Sequence, residues 1–234
     1  MMKKHYAYGA ALVLLGATPV ANADWSVTVT GATDYMFNGV SQTNNDPAFQ
    51  ASLDYAAENG VYAGMWTSNV DYGDDADQEL DGYIGHFVQL SDSLSLDYGI
   101  AYYSYHGGND SSALNYGEAY SKFAYSWAQG TSEMNFWYAW DYFGTGAGHT
   151  IVEVAHTISL AENHALRFSA DSSNSLDGDK YMWDVDDTSY QHYKVAWLTS
   201  WMGFDIEVAA ENTTLDIDTA DERIVLAVSR TFAF

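Results

Sequence analysis

The feature that most constrains this chain is a period of two, repeated segment after segment. Trp25, Val27, Val29, Thr33, Tyr35 and Phe37 share one parity, and Ser26, Thr28, Thr30, Asp34 and Asn38 hold the other. Successive side chains of a strand point to opposite faces, so this pattern predicts strands with one apolar and one polar face. It recurs at Phe49–Tyr55, Leu94–Tyr102, Glu118–Trp127, Glu133–Tyr142, Val152–Leu160, Leu166–Ser169, His192–Trp197, Phe204–Val208 and Arg223–Phe234. Residues 61–72 and 79–90 also read as strands, but Trp66, Tyr83 and Phe87 leave their facing open. The segments number twelve.

Their connections alternate as well. Short turns at Glu58-Asn59-Gly60, Ser91-Asp92-Ser93, Ala128–Ser132, Ala161–Asn163 and Ser200–Gly203 take turns with longer acidic or Gly-rich loops at 38–47, 71–78, 106–115, 143–149, 171–188 and 212–220. An even strand number, strands of about ten residues and turns on one side with loops on the other predict an all-β, antiparallel transmembrane barrel. Short periplasmic turns and longer acidic outer loops follow. A soluble β-sandwich also alternates, but its apolar parity carries Val, Ile and Leu into a compact core. Here that parity is loaded with Tyr, Trp and Phe near segment ends, as in aromatic girdles at membrane interfaces.

The first 23 residues read as a cleaved secretory signal. Lys3 and Lys4 precede an apolar stretch from Ala7 to Gly16, and Ala21-Asn22-Ala23 supplies small residues for cleavage. The barrel domain is then 24–234, and no later window is long and apolar enough for a membrane-spanning helix. With 32 acidic against 8 basic residues and a formal charge of −24, the chain lacks the basic patch that binding nucleic acid requires. The absence of Cys excludes disulfides and thiolate chemistry.

The polar parity collects Asp34, Asp54, Asp97, Glu118, Asp141, Glu153, Asp205, Glu207 and Glu211, opposed by Lys122, Arg167, Lys194 and Arg223. These are the expected lumen-lining residues. Arg230 falls on the apolar parity, near the periplasmic end, where it can snorkel. Phe232 and Phe234 end the last strand in the manner of an outer-membrane assembly tag, implying the barrel-assembly machinery as a partner. Outer-membrane lipid and lipopolysaccharide are the surrounding partners, and small polar solutes the ligands.

Enzyme chemistry is weakly supported. No Gly-x-Ser-x-Gly elbow exists, which leaves His156 or His86 beside a Ser on the lipid side as the one hydrolase constellation to consider. Asp71, Asp74, Asp75, Asp77 and Glu79 in one loop, and Asp177, Asp179, Asp184, Asp186 and Asp187 in another, offer oxygen ligands to divalent cations, but without EF-hand spacing. No catalytic residue, cofactor or dedicated metal site is expected.

The run Thr33-Asp34-Tyr35-Met36-Phe37-Asn38-Gly39-Val40-Ser41-Gln42-Thr43, with Asn45-Asp46-Pro47-Ala48-Phe49-Gln50 and Gly60-Val61-Tyr62-Ala63-Gly64-Met65-Trp66-Thr67-Ser68-Asn69-Val70-Asp71, resembles the TorF-type porin family of proteobacteria. That resemblance implies an outer-membrane channel and brings no catalytic residues. Asn38 stands where the family commonly has a basic residue. The expectation is a passive, narrow, cation-favouring channel; the alternative is a non-conducting barrel with a structural or surface-recognition role.

Overall fold

The computed structural model describes residues 24–73, 76–184 and 187–234; the expected signal peptide lies outside the described residues. Among them, twelve strands close into one antiparallel barrel. In chain order the strands are β1 (Asp24–Ala32), a two-residue pair β2 (Met36–Phe37) and β3 (Val40–Ser41) that forms its own small hairpin, then β4 (Ala48–Ala56), β5 (Val61–Asn69), β6 (Gln78–Gln89), β7 (Leu94–His106), β8 (Tyr116–Trp127), β9 (Gly130–Ala139), β10 (His149–Ala161), β11 (His164–Ser175), β12 (Ser189–Trp201), β13 (Phe204–Thr213) and β14 (Arg223–Ala233). Every wall strand pairs with its sequence neighbour, and β14 returns to β1, with Val27 opposite Phe232 and Phe234 exchanging backbone hydrogen bonds with Trp25. Closure leaves no unpaired strand edge, the condition for crossing a bilayer with β-structure.

The two faces differ as the alternation predicts. Ile84, Ile100, Val154, Val195 and Leu226 are exposed on the outside. Aromatic residues flank that band. Trp25, Tyr125, Trp127, Trp201, Phe232 and Phe234 lie toward the short-turn end, and Phe49, Tyr102, Tyr138, Trp140 and Tyr193 toward the long-loop end. Arg230 sits outside in unbroken register opposite Val29, its guanidinium carbon 5.1 Å from the ring centres of both Phe204 and Phe232. The lone cation is thus held between two rings at the barrel's end.

Two features depart from the sequence expectation, and one facing that it left open takes a definite side. The period of two predicts a first strand running to Phe37 with Tyr35 on the apolar face; the strand stops at Ala32, and Tyr35 is buried inside. Turn chemistry is the reason: Asn38 and Gly39 both take positive φ, 49° and 78°, in a two-residue turn that sets Phe37 opposite Val40. Such a primed turn closes a hairpin tightly and suits Asn-Gly. Likewise the seventh segment ends at Ala139, and Asp141 caps a short 3-10 turn, Tyr142–Gly144, in which Tyr142 is buried. Finally, Tyr83 and Phe87 share the inward parity of Asp81, because the bore is lined by rings as well as charges.

Candidate functional site: the plugged bore

The inside of the barrel divides into two walls. On one, running from β10 to β14 with β9 at its edge, cations are matched to acids. Arg167 on β11 bonds Glu133 on β9 and, through Nη2 at 3.0 Å, Glu153 on β10, which also accepts from Asn135 Nδ2 at 2.8 Å. Lys194 lies 2.7 Å from Glu207. His192 stands between two carboxylates, Nδ1 2.7 Å from Asp171 and Nε2 3.1 Å from Glu211. With both ring nitrogens facing acceptors, the arrangement suits an imidazolium, which donates from both. Charges withdrawn from bulk water are tolerable when paired and hydrogen-bonded in this way.

The other wall, β5 to β8, is acidic and tyrosine-rich. Glu79 accepts from Tyr105 at 3.1 Å, Glu118 from Tyr103 at 2.9 Å and Asp97 from Tyr62 at 2.6 Å, while Tyr62 and Tyr120 hydroxyls are 2.5 Å apart. Tyr83 donates to Asp54. Lys122, on the border between the walls, lies with its ammonium over the rings of Tyr120 and Trp137, at 5.2 and 5.6 Å.

Two inward-turned connections close the long-loop end. The first is the hairpin carrying β2 and β3. Asp34 pins its base: its carboxylate accepts from Ser41 Oγ at 2.6 Å, Thr43 Oγ1 at 3.0 Å and Arg223 Nη1 at 2.7 Å. Arg223 also reaches Asn45 and the carbonyls of Asp218 and Asp221. The tip enters the bore. Asn38 Nδ2 donates to Asp171 at 3.2 Å, the Asn38 carbonyl accepts from Tyr190 at 3.0 Å, and a Cβ on Gly39 would collide with Thr213 and His192. Only a glycine lets the backbone come so near.

The second insert is Tyr142-Phe143-Gly144. Tyr142 stacks on His149 at 4.0 Å, and Phe143 packs on Tyr72, Tyr105 and Tyr116. Trp183 covers Tyr142 and Tyr190 from the β11–β12 connection. Tyr103, Tyr105, Tyr142 and Tyr190 keep at most 2% exposure, which shows how completely the rings fill this end. Burial pushes the Tyr35, Tyr142 and Tyr181 phenols above their ordinary value, Tyr35 further by the negative charges of Glu79 and Asp81. All three stay neutral. Toward the short-turn end Tyr62, Phe87 and Leu198 also point inward, but on β1, β4 and β14 the inward side chains are small and polar, and Ser26, Thr28, Ser52, Asp54 and Ser229 remain partly exposed there.

Of the residues singled out by sequence, Asp54, Asp97, Glu118, Lys122, Glu153, Arg167, Lys194, Asp205, Glu207, Glu211 and Arg223 lie on inward-facing parity, with Asp205 exposed at the short-turn end. Asp34 and Asp141 lie in connections; Asp34 anchors the hairpin, and Asp141 accepts from the Gly146 N–H at 2.7 Å. Glu133 and His192 stand on the polar parity of their segments but are not among the expected lumen charges, and Glu79, Asp81 and Asp171 are further inward residues outside that set. The signal is present for Asp171 and His192, which continue the parities of Arg167 and Lys194. For Glu79 and Asp81 it is masked by the inward rings of Tyr83 and Phe87.

The hydrolase constellation is incomplete. On the outer face Ser132 Oγ lies 2.9 Å from His156 Nδ1 and accepts from Trp127 Nε1 at 3.0 Å, but the bonds of His156 among the described residues include no carboxylate. His86 bonds Tyr98 and the Asn59 carbonyl instead of a serine. Among the described residues no three His, Asp or Glu converge as a metal site requires; Asp74, Asp75 and Asp186 of the acidic loops lie outside the described residues.

The fold is similar to that of solved outer-membrane porins. A KdgM porin in complex with disordered oligogalacturonate superposes with a TM-score of 0.61 at 8% identity, over 88% of this chain and 99% of that one. The NanC porin gives 0.59 at 8% identity, over 88% and 98%. The COG4313 outer membrane channel from Pseudomonas putida F1 gives 0.54 at 8% identity, over 95% and 100%. No curated protein matches the chain in sequence. A family model described as "Bacterial protein of unknown function (Gcw_chp)" matches residues 16–232, and the chain belongs to that family.

Proposed function

We propose that this protein is a passive, cation-favouring outer-membrane channel for small polar solutes, held closed in this conformation by the hairpin of β2 and β3. The observation that carries the reading is the charged interior of a closed twelve-strand barrel whose outer end is stopped by side-chain contacts of a short hairpin rather than by a folded plug domain. A hairpin held by a few hydrogen bonds has an energetically accessible open state. The TorF-type likeness of residues 33–73 falls on this same hairpin, and the porin-like fold agrees with it. Asp24 and Phe234 lie at the short-turn end, which this reading places in the periplasm.

Cation preference follows from the excess of acidic over basic side chains along the bore. Fixed charge of one sign in a narrow, low-dielectric passage focuses the potential and enriches counter-ions. Under a KCl gradient across a planar bilayer, the reversal potential is expected to show K⁺ preferred over Cl⁻. The preference should shrink toward 1 M salt, where the Debye length is about 3 Å. Anion preference would refute this assignment.

A non-conducting barrel is the second reading. The observation in its favour is the near-complete burial of the tyrosines under both inserts. Current through the reconstituted protein separates the two.

A further inference from the structure

The paired and the unpaired walls of the bore are not equivalent, and the difference points to a ligand. Among the described residues, every ion pair inside the barrel lies on β9–β14 or at the hairpin base. On β6–β8, by contrast, Glu79, Asp81 and Glu118 are 2%, 2% and 1% exposed, and none has a cationic partner among the described residues. Glu79 Oε2, Glu118 Oε2 and both Asp81 oxygens are buried without a hydrogen-bond donor. A carboxylate deprived of water and given no partner is strongly disfavoured. The tyrosines satisfy one oxygen each of Glu79 and Glu118, whereas Asp81 has only the Ser104 backbone beside it and no side-chain donor.

The arrangement of these acids narrows the chemistry of a ligand that would meet them. They do not converge on a point, as a metal ion requires. Glu79 and Asp81 are successive inward residues of one strand, about 7 Å apart along it, and Glu118 lies two strands away, about 10 Å by strand spacing. Across β7, Glu118 is in register with Ala101 and Tyr83, whereas Asp81 and Glu79 are in register with Tyr103 and Tyr105, so the acids are offset along the barrel as well as around it. The sides are aromatic: Tyr103 and Tyr116 stack at 4.5 Å, and Tyr35 packs on Trp66 at 5.3 Å. Separated anions set among aromatic rings suit a ligand that carries separated N–H donors on an apolar stem, since ring faces attract cations and accept methylenes.

We propose that the inward face of β6–β8 binds an aliphatic diamine or polyamine, one ammonium on Asp81 and Glu79, another on Glu118, with the methylene chain along Tyr103 and Tyr116. The site deepens the channel reading and rests on it for how the solute arrives. It lies at the outer third of the bore, just below Tyr35 and Phe143, so a cation coming from the loop end meets it first once the inserts part.

Calorimetric titration with putrescine tests this on the purified barrel in detergent at low ionic strength, using both the native chain and Asp34→Ala, in which the hairpin is unpinned. Saturable binding is expected, stronger in Asp34→Ala. Glu118→Gln, which keeps the Tyr103 bond, and Asp81→Asn should each weaken it about tenfold or more, the loss of one charge-assisted contact. Butylamine, with one ammonium, should bind far more weakly. Heat-dependent gel mobility reports whether each variant folds, and Glu118→Gln serves if Asp81→Asn does not. No putrescine binding by either folded protein, equal affinity for butylamine, or calcium binding that displaces putrescine would overturn the proposal. Conductance without putrescine binding overturns this site alone; putrescine binding by a protein silent in bilayers overturns the channel reading alone.

Discussion

Unpinning the hairpin should open the barrel: Asp34→Ala is expected to raise solute flux into proteoliposomes about tenfold or more. The expectation comes from the contacts that Asp34 holds. Its carboxylate accepts from Ser41 and Thr43 on the returning limb and from Arg223 on β14, so one side chain ties the hairpin base to the wall. Hydrogen bonds to a charged group are each worth about 1.5–3 kcal/mol. Losing them leaves the tip contacts, Asn38 to Asp171 and Tyr190 to Asn38, and those of the returning limb, Arg223 to Asn45 and the Tyr72 hydroxyl and Asp71 N–H to Gln42. A shift of about 1.4 kcal/mol between closed and open forms changes their ratio tenfold. Gly39→Val should act from the other end, because its side chain would collide with Thr213 and His192 and because valine strains at φ 78°. Swelling rates of liposomes in a small amine or sugar check both. Unchanged flux through both variants, with the barrel intact by gel mobility, would show that the hairpin is no gate.

The second large effect concerns stability. Arg167→Met should lower the unfolding free energy by about 3 kcal/mol, the low end of the cost of removing one partner from a buried ion pair. The low end applies because the side chains of Arg167, Glu133 and Glu153 retain 16%, 27% and 18% exposure. Methionine keeps the stem's volume but abandons two carboxylates that face inward. Adding Glu133→Gln and Glu153→Gln to Arg167→Met should recover most of the loss, since the penalty lies in the orphaned charges rather than in the missing attraction. Urea unfolding in detergent micelles measures both steps. Equal midpoints for the native chain and Arg167→Met would mean that water already solvates this trio.

The fold is legible because alternation survives wherever one face meets lipid. Ile100 and Tyr102 against Asp97 and Gly99, or Tyr193, Val195 and Trp197 against His192 and Lys194, set the phase without ambiguity, and the inward charges of those strands follow from it. Legibility fails where the interior is itself aromatic. On β6, Tyr83 and Phe87 point inward while Ile84 and Val88 point outward, so both faces read as apolar and Glu79 and Asp81 lose their phase. A barrel this narrow fills its bore with side chains, and rings on both faces erase a period of two.

The hairpin is hidden for another reason. Thr33, Tyr35 and Phe37 continue the parity of β1 flawlessly, and only the paired positive φ of Asn38 and Gly39 turns the chain inward. That turn chemistry is visible in the sequence as Asn-Gly, the strongest short hairpin signal. The destination of the hairpin is not, because its seat on Asp171, Tyr190, His192 and Thr213 is assembled from β11–β13, with Asp171 lying 133 residues from Asn38 along the chain. Asp34 illustrates the consequence. Its parity marks it as a lumen charge, whereas its partners make it the latch of the insert.

The most direct test of a channel closed from within is single-channel recording on the refolded protein beside a variant in which Met36–Ser41 is replaced by a short Gly-Ser turn. Rare, brief openings are predicted for the native chain, and long, discrete, K⁺-preferring openings for the variant. A variant that folds as a heat-modifiable barrel yet passes no current would contradict the account.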